Sequence, residues 1–220
     1  MKAWVRAGAA VAGAALAASL FLPTAQGAPA STPAQTDYAS AALASLDVKG
    51  RAPMTGYSRE EFGPEWSDVD RNGCDTRNDI LRRDLVRTTV RNCVVYSGVL
   101  YDPYTRKVIQ HERGRYGVDI DHVVALGNAW QTGAFRWTPE QRKEFANDPL
   151  NLLAVDSSAN RQKGDGDAAT WLPANKGFRC AYVARQIAVK AAYRLWVTPP
   201  EKAAMKNVLA DCPGQRIPAP

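Results

Sequence analysis

Asp119-Ile120-Asp121-His122-Val123-Val124-Ala125-Leu126 is the stretch on which the reading of this chain turns. It holds one of only two histidines in the sequence, with two carboxylates just before it. Val118 to Asp121 reads as a short strand, and the histidine falls where that strand runs into a loop. Side chains two apart on a strand face the same way, so Asp119 and Asp121 share a face. Further along, Leu150 to Val155 reads as a second strand. Ser157 or Ser158 then caps a helix that carries Asn160 and Lys163 and stops at Gly164-Asp165-Gly166. The local order is strand, loop, strand, helix. Val123 to Phe135, helical or irregular with Trp130 and Phe135 as core anchors, fills the first part of the connection. Thr138-Pro139-Glu140-Gln141, a capping box with Pro at the first helical position, opens a helix through Ala146.

These residue types suit hydrolysis of a phosphodiester. That reaction needs a base to activate water, a cation to offset charge on phosphorus, and stabilisation of the leaving oxygen. A histidine with an ordinary pKa near ~6.5 is largely neutral at pH 7 and accepts a proton. Asp121 and the Asn160 amide are hard oxygen donors, suited to Mg²⁺ or Mn²⁺. Lys163 lies one turn beyond Asn160 on the same helix face, where it is expected to meet a phosphate.

The remainder sets the context. The chain has 220 residues, 45% apolar and 23% charged, enough for one domain plus a leader. Lys2 and Arg6, the small apolar run Ala7–Leu22, and the small residues of Ala25-Gln26-Gly27 or Ala28-Pro29-Ala30 read as a secretory signal over residues 1–30. The formal charge is +6, and removing that leader takes away only two lysine or arginine charges. A basic balance suits a polyanionic partner without naming one. No later segment is apolar enough to span a membrane.

Secretion makes Cys74, Cys93, Cys180 and Cys212 a disulfide set. Three pairings exist, and Cys74–Cys93 with Cys180–Cys212 is preferred because each closes a modest loop. Each bridge would add about 3 kcal/mol. No C-x-x-C is present, which argues against zinc. Residues 31–70 are expected to be flexible or irregular, with a short helix over Tyr38–Val48 and a helical turn at Ser58–Phe62. Asn72-Gly73-Cys74 is read as a turn. A helix over Thr76–Val86 carries the apolar stripe Ile80, Leu81, Leu85 among Arg77, Arg82, Arg83 and Arg87. Thr88–Tyr101 and Arg106–His111 form one β-hairpin, with His111 at the surface. Residues 178–196 form the longest helix, and Thr198-Pro199-Pro200-Glu201 opens the last one.

Taken together, Asp119-Ile120-Asp121-His122-Val123-Val124, Asn151-Leu152-Leu153 and Asn160-Arg161-Gln162-Lys163-Gly164-Asp165 resemble the HNH, or ββα-metal, nucleases. The order is similar to that in the HNH domain of CRISPR effector nucleases. The nearest likeness is to secreted actinobacterial HNH proteins related to the C-terminal domain of GmrSD-type restriction enzymes. Arg71–Asp79 and Asn175–Tyr182 share in that likeness. The resemblance implies an α+β nuclease domain over 71–213, with its motif core at 118–166, flanking helices and a β-hairpin. It implies His122 as general base, Asp121 and Asn160 as ligands of one Mg²⁺ or Mn²⁺, and Asn151 as the residue that ties the loop. Asn160 stands where many members have a histidine, which makes Zn²⁺ less suitable. Lys163 would lie near the scissile phosphate and Asp119 would support the metal. Arg161, Lys176 and Arg179 are candidate phosphate contacts, with DNA favoured over RNA and the chain expected to act as a monomer. A non-catalytic polyanion-binding module is the rival from another class. A glycoside hydrolase using Asp119 and Asp121 as an acid pair would leave the histidine, asparagine and lysine idle.

Overall fold

A computed structural model describes Met1 and residues 38–218. Residues 2–37, which hold the expected leader after Met1, lie outside the described residues. The elements in order are α1 (Ala39–Ser45), α2 (Thr76–Asp84), β1 (Val86–Arg91), β2 (Val94–Tyr101), β3 (Val108–Glu112), β4 (Val118–His122), α3 (Leu126–Gln131), α4 (Pro139–Asn147), β5 (Leu152–Asp156), α5 (Ser157–Lys163), α6 (Arg179–Ala192) and α7 (Pro199–Ala210). This is the expected α+β mixture. Among the described residues no helix is long and apolar enough to cross a membrane.

The hairpin β4–β5 is the centre. It is antiparallel, with Val118 opposite Asp156, Asp121 opposite Leu153 and His122 opposite Leu152. Every residue of β5 is buried. Alternation sends Ile120, Leu152 and Ala154 to one face, where Ile80 and Leu81 of α2 cover them. Leu153 and Val155 go to the other face, into a cluster with Ala159 of α5 and Tyr182, Val183 and Ile187 of α6. A strand pair covered on both sides holds its register firmly, because a one-residue slip would invert both faces. The site residues are therefore fixed by burial of their neighbours.

The first sheet differs from the single hairpin expected. It has three strands in the order β1-β2-β3. The run Thr88–Tyr101 is cut at Asn92 and Cys93, whose φ angles are 45° and 68°. Two consecutive left-handed residues make the tight turn whose twist matches that of the flanking strands. Cysteine gives no turn signal in a sequence. Here Cys93 is held by its disulfide to Cys74, with Cα atoms 5.4 Å apart. The second bridge, Cys180–Cys212 with Cα atoms 6.5 Å apart, ties the start of α6 to the end of α7. Both pairings are the preferred ones.

Residues 38–70 are irregular in part but well packed. Ala39, Ala42 and Leu43 of α1 are buried against α6 and α7. Arg59–Phe62 forms a short 3-10 turn, and Phe62 enters an aromatic cluster with Trp130 and Phe145. Arg142 of α4 fixes that turn by donating to the Glu61 carbonyl at 2.7 Å and its carboxylate at 2.8 Å. Both expected capping boxes form, at Thr138 and Thr198. The cap of α5 is neither serine: Asp156 accepts from the Ala159 amide at 2.9 Å. Ser157 instead donates to Asp119 at 2.7 Å.

Candidate active site

His122 ends β4 and is buried, at 7% exposure. Its Nε2 lies 2.8 Å from the Ala146 carbonyl at the end of α4. A carbonyl only accepts, so Nε2 carries the proton and Nδ1 keeps the basic lone pair. Burial holds the pKa of this histidine down to about 3, against the opposing pull of the Ala146 bond. The ring is therefore neutral at physiological pH. Trp66 stacks on it, with centroids 6.1 Å apart and planes 10° from parallel. Trp66 sits at φ 56°, a backbone state that a bulky residue enters only when its surroundings impose it.

Asp121, beside it, is the hub of a buried network. Lys163 donates to Asp121 Oδ1 at 2.8 Å and to the His122 carbonyl at 2.8 Å. Tyr104 donates to Oδ2 at 2.5 Å. Burial pushes the Asp121 carboxyl up, and Lys163 opposes that shift. This corrects the expectation for Lys163. Its side chain has no exposed surface, so it does not meet a phosphate directly; it positions Asp121 and the backbone of His122. One helical turn from Asn160 is the right spacing, but the chain of α5 turns that face inward.

Asn151 immediately precedes β5 and is buried. Its Oδ1 accepts from the Val124 amide at 2.8 Å and its Nδ2 donates to the Val124 carbonyl at 3.2 Å. That side chain closes the loop after His122 as a strand partner would. Asn160 donates to Asp119 Oδ2 at 3.3 Å. Asp119 is thus bound to Ser157 and Asn160, and acts on α5 rather than on the Asp121 cleft.

Asp121, His122, Asn160 and Asp165 line one cleft of about 240 Å³, with Tyr57 and Arg59 at its border. Asp165 reaches this position because Gly127 has no side chain: a Cβ there would lie 2.5 Å from the carboxylate. Among the described residues no three His, Cys, Asp or Glu side chains gather closely enough to hold a metal between them. Oxygen donors nevertheless fit a hard divalent ion that keeps most of its waters. An ionised carboxylate has about four acceptor positions, and Lys163 and Tyr104 use two of those on Asp121. Asp121 and the Asn160 amide oxygen are the residues that would hold such an ion.

The proposed phosphate contacts separate. Arg161 is exposed, its guanidinium 4.5 Å from the Tyr116 ring centroid. Lys176 and Arg179 do not line the cleft; Arg179 donates to the Pro173 carbonyl at 2.8 Å. His111 is not at the surface, at 6% exposure. It sits opposite Gly98 of β2, where a Cβ would lie 2.9 Å from the Leu85 side chain. Sequence reading missed Trp66, Arg59 and Tyr104, which reach the site from distant segments and carry no local signal. Asp68-Val69-Asp70-Arg71-Asn72-Gly73, with Asp79 in twelfth place, follows calcium-loop spacing; its acids belong to the described residues that do not gather into a three-group cluster.

Residues 75–208 match the family of GmrSD restriction endonuclease C-terminal domains. A protein of Arthroderma benhamiae, described as an uncharacterized secreted protein, is 40% identical over 191 residues, covering 84% of this chain and 91% of that protein. No solved structure gives a significant match.

Proposed function

Because this chain belongs to the family of GmrSD restriction endonuclease C-terminal domains, we propose that it is a secreted, metal-dependent endonuclease of the HNH type acting on nucleic acid, with DNA the favoured substrate. One observation carries the reading. His122, a neutral imidazole with its Nε2 on a carbonyl, ends a strand beside Asp121 and opens on the same cleft as Asn160. Hairpin followed at once by helix, β4–β5–α5, is the arrangement the ββα-metal reading calls for.

His122 Nδ1 draws a proton from water, and that water attacks phosphorus in line. The bond from phosphorus to the 3′-oxygen breaks and that oxygen takes a proton from solvent water, giving a 5′-phosphate and a 3′-hydroxyl. Mg²⁺ or Mn²⁺ held by Asp121 and Asn160 would offset charge on the phosphate and the leaving oxygen. Asn151 and Lys163 keep the loop and the Asp121 carboxylate in place. Export is supported by the description of the relative as secreted and by two disulfides, which persist in oxidising compartments.

The test is nicking of supercoiled plasmid by disulfide-intact protein. Cleavage is expected with Mg²⁺ or Mn²⁺ and lost with EDTA. Cleavage that persists in EDTA overturns the metal-dependent reading, and no cleavage of DNA or RNA with any divalent ion overturns the nuclease reading.

A further inference from the structure

His111 is a buried imidazole without a role in the site just described. Neither of its ring nitrogens has a hydrogen-bond partner, although it is more than nine-tenths buried, at 6% exposure. A buried donor and acceptor left unmet are costly, and their retention in a native fold calls for an explanation. Burial holds the ring neutral by lowering its pKa, with Arg77 adding to the effect. A neutral imidazole has one N–H to give.

That imidazole lines a groove of about 390 Å³, together with Arg77 of α2, Arg113 and Arg115 of the loop before β4, and Trp66. Two carboxylates also border it, and both are engaged: Glu65 pairs with Arg59 at 2.9 Å, and Asp75 caps α2 through the Asn78 amide at 2.9 Å. Arg115 pairs with the exposed Glu112 at 2.8 Å, which leaves the guanidinium charge of Arg77 and Arg113 as the part not taken up by a carboxylate. Trp66 belongs both to this groove and to the smaller cleft over His122, and its ring stacks on His122. The groove and the catalytic histidine are separated by one aromatic ring.

We propose that this groove seats a phosphate of the polynucleotide strand whose scissile bond lies at His122, with Arg77, Arg113 and Arg115 supplying the countercharge and the His111 ring, enclosed in this structure, turning to give its N–H to a phosphate oxygen. The proposal rests on the nuclease reading for its ligand, but binding is measured apart from cleavage.

The probe is a short fluorescein-labelled single-stranded DNA, titrated in EDTA at several salt concentrations. Abolishing one arginine–phosphate pairing lowers the slope of log affinity against log salt by about 0.7. Arg113→Ala and Arg115→Ala, both at exposed positions, are each expected to weaken binding and reduce that slope. Lys206→Ala, an equal charge change on α7 at a residue outside the groove, is the control and is expected to leave the slope unchanged. His111→Phe keeps the ring volume and removes the nitrogens. It is expected to raise the melting temperature and weaken binding; a purely structural His111 would change the first alone. Wild-type protein that binds, beside groove variants that bind equally well, overturns the groove while leaving any observed cleavage intact. Wild-type protein that does not bind the strand also overturns it. Loss of binding in the groove variants, from protein that cleaves nothing, supports the groove and refutes the nuclease reading.

Discussion

Among the described residues there are two buried lysine–carboxylate pairs, and they are built for different ends. Lys190 of α6 and Glu201 of α7 are 3.0 Å apart with both side chains wholly buried. Lys190 also donates to Asn128 Oδ1 at 3.0 Å and to the Trp196 carbonyl at 3.1 Å, so its three protons are spent inside the core. Glu201 doubles as the capping-box acid of α7. Lys163 and Asp121 are just as close, at 2.8 Å, yet Asp121 borders the cleft. Burial pushes both carboxyls up and pushes the Lys190 ammonium down, and in each pair the opposite charge resists the shift. The closed pair fixes helix packing. The open one orients a carboxylate at the border of the cleft, with acceptor positions left over. A buried ion pair is weak evidence of stability by itself, since desolvation offsets the attraction; what it faces decides what it is for.

That contrast can be broken experimentally. Lys190→Ala strands Glu201 in the core and is expected to cost about 3–5 kcal/mol, read from urea denaturation. Lys190→Met with Glu201→Leu should recover most of the loss, because an apolar pair needs no partner charge; failure to recover would show that the pair is needed for the packing itself. Lys163→Met is expected to cost less stability, since Tyr104 still binds Asp121 and the cleft admits water, but to cut cleavage per folded molecule at least tenfold. If cleavage is unchanged while stability falls, the open pair is merely structural and the comparison collapses. A smaller effect lies in pH. The unfolded His122 takes a proton below pH 6.5, whereas the folded one resists until about 3. Its stabilising contribution is therefore complete above pH 6.5 and is lost as pH falls toward 3. Thermodynamic linkage sets the slope at up to about 1.4 kcal/mol per pH unit. His122→Phe should flatten the acid side of the stability profile by that amount, as measured by denaturation at stepped pH.

The two pairs also mark how far the sequence could be read. Asp121, His122 and Asn151 were legible because a strand, its loop and the returning strand are neighbours in sequence, and alternation assigns their faces. Both capping boxes and both disulfides followed from local spacing. Lys163 was found but misdirected: helical spacing places it on the face of Asn160, whereas the distant Tyr104 and the buried Asp121 decide where its ammonium goes. Lys190 lies in a helix that reads simply as long and apolar, and its partner Glu201 reads as a cap. Trp66 and Arg59 come from a stretch broken by Gly63 and Pro64, where no periodicity exists to follow. Their placement depends on Phe62 and Arg142, which meet their partners across some eighty residues of chain.

The most direct measurement is single-turnover cleavage of end-labelled DNA by the wild-type chain and by folded His122→Ala, with the product ends then offered to a ligase. Removing a general base should slow cleavage by about 10²–10⁴-fold, and the wild-type products should carry the 5′-phosphate and 3′-hydroxyl that a ligase rejoins. A folded His122→Ala protein that cleaves at the wild-type rate would contradict the account.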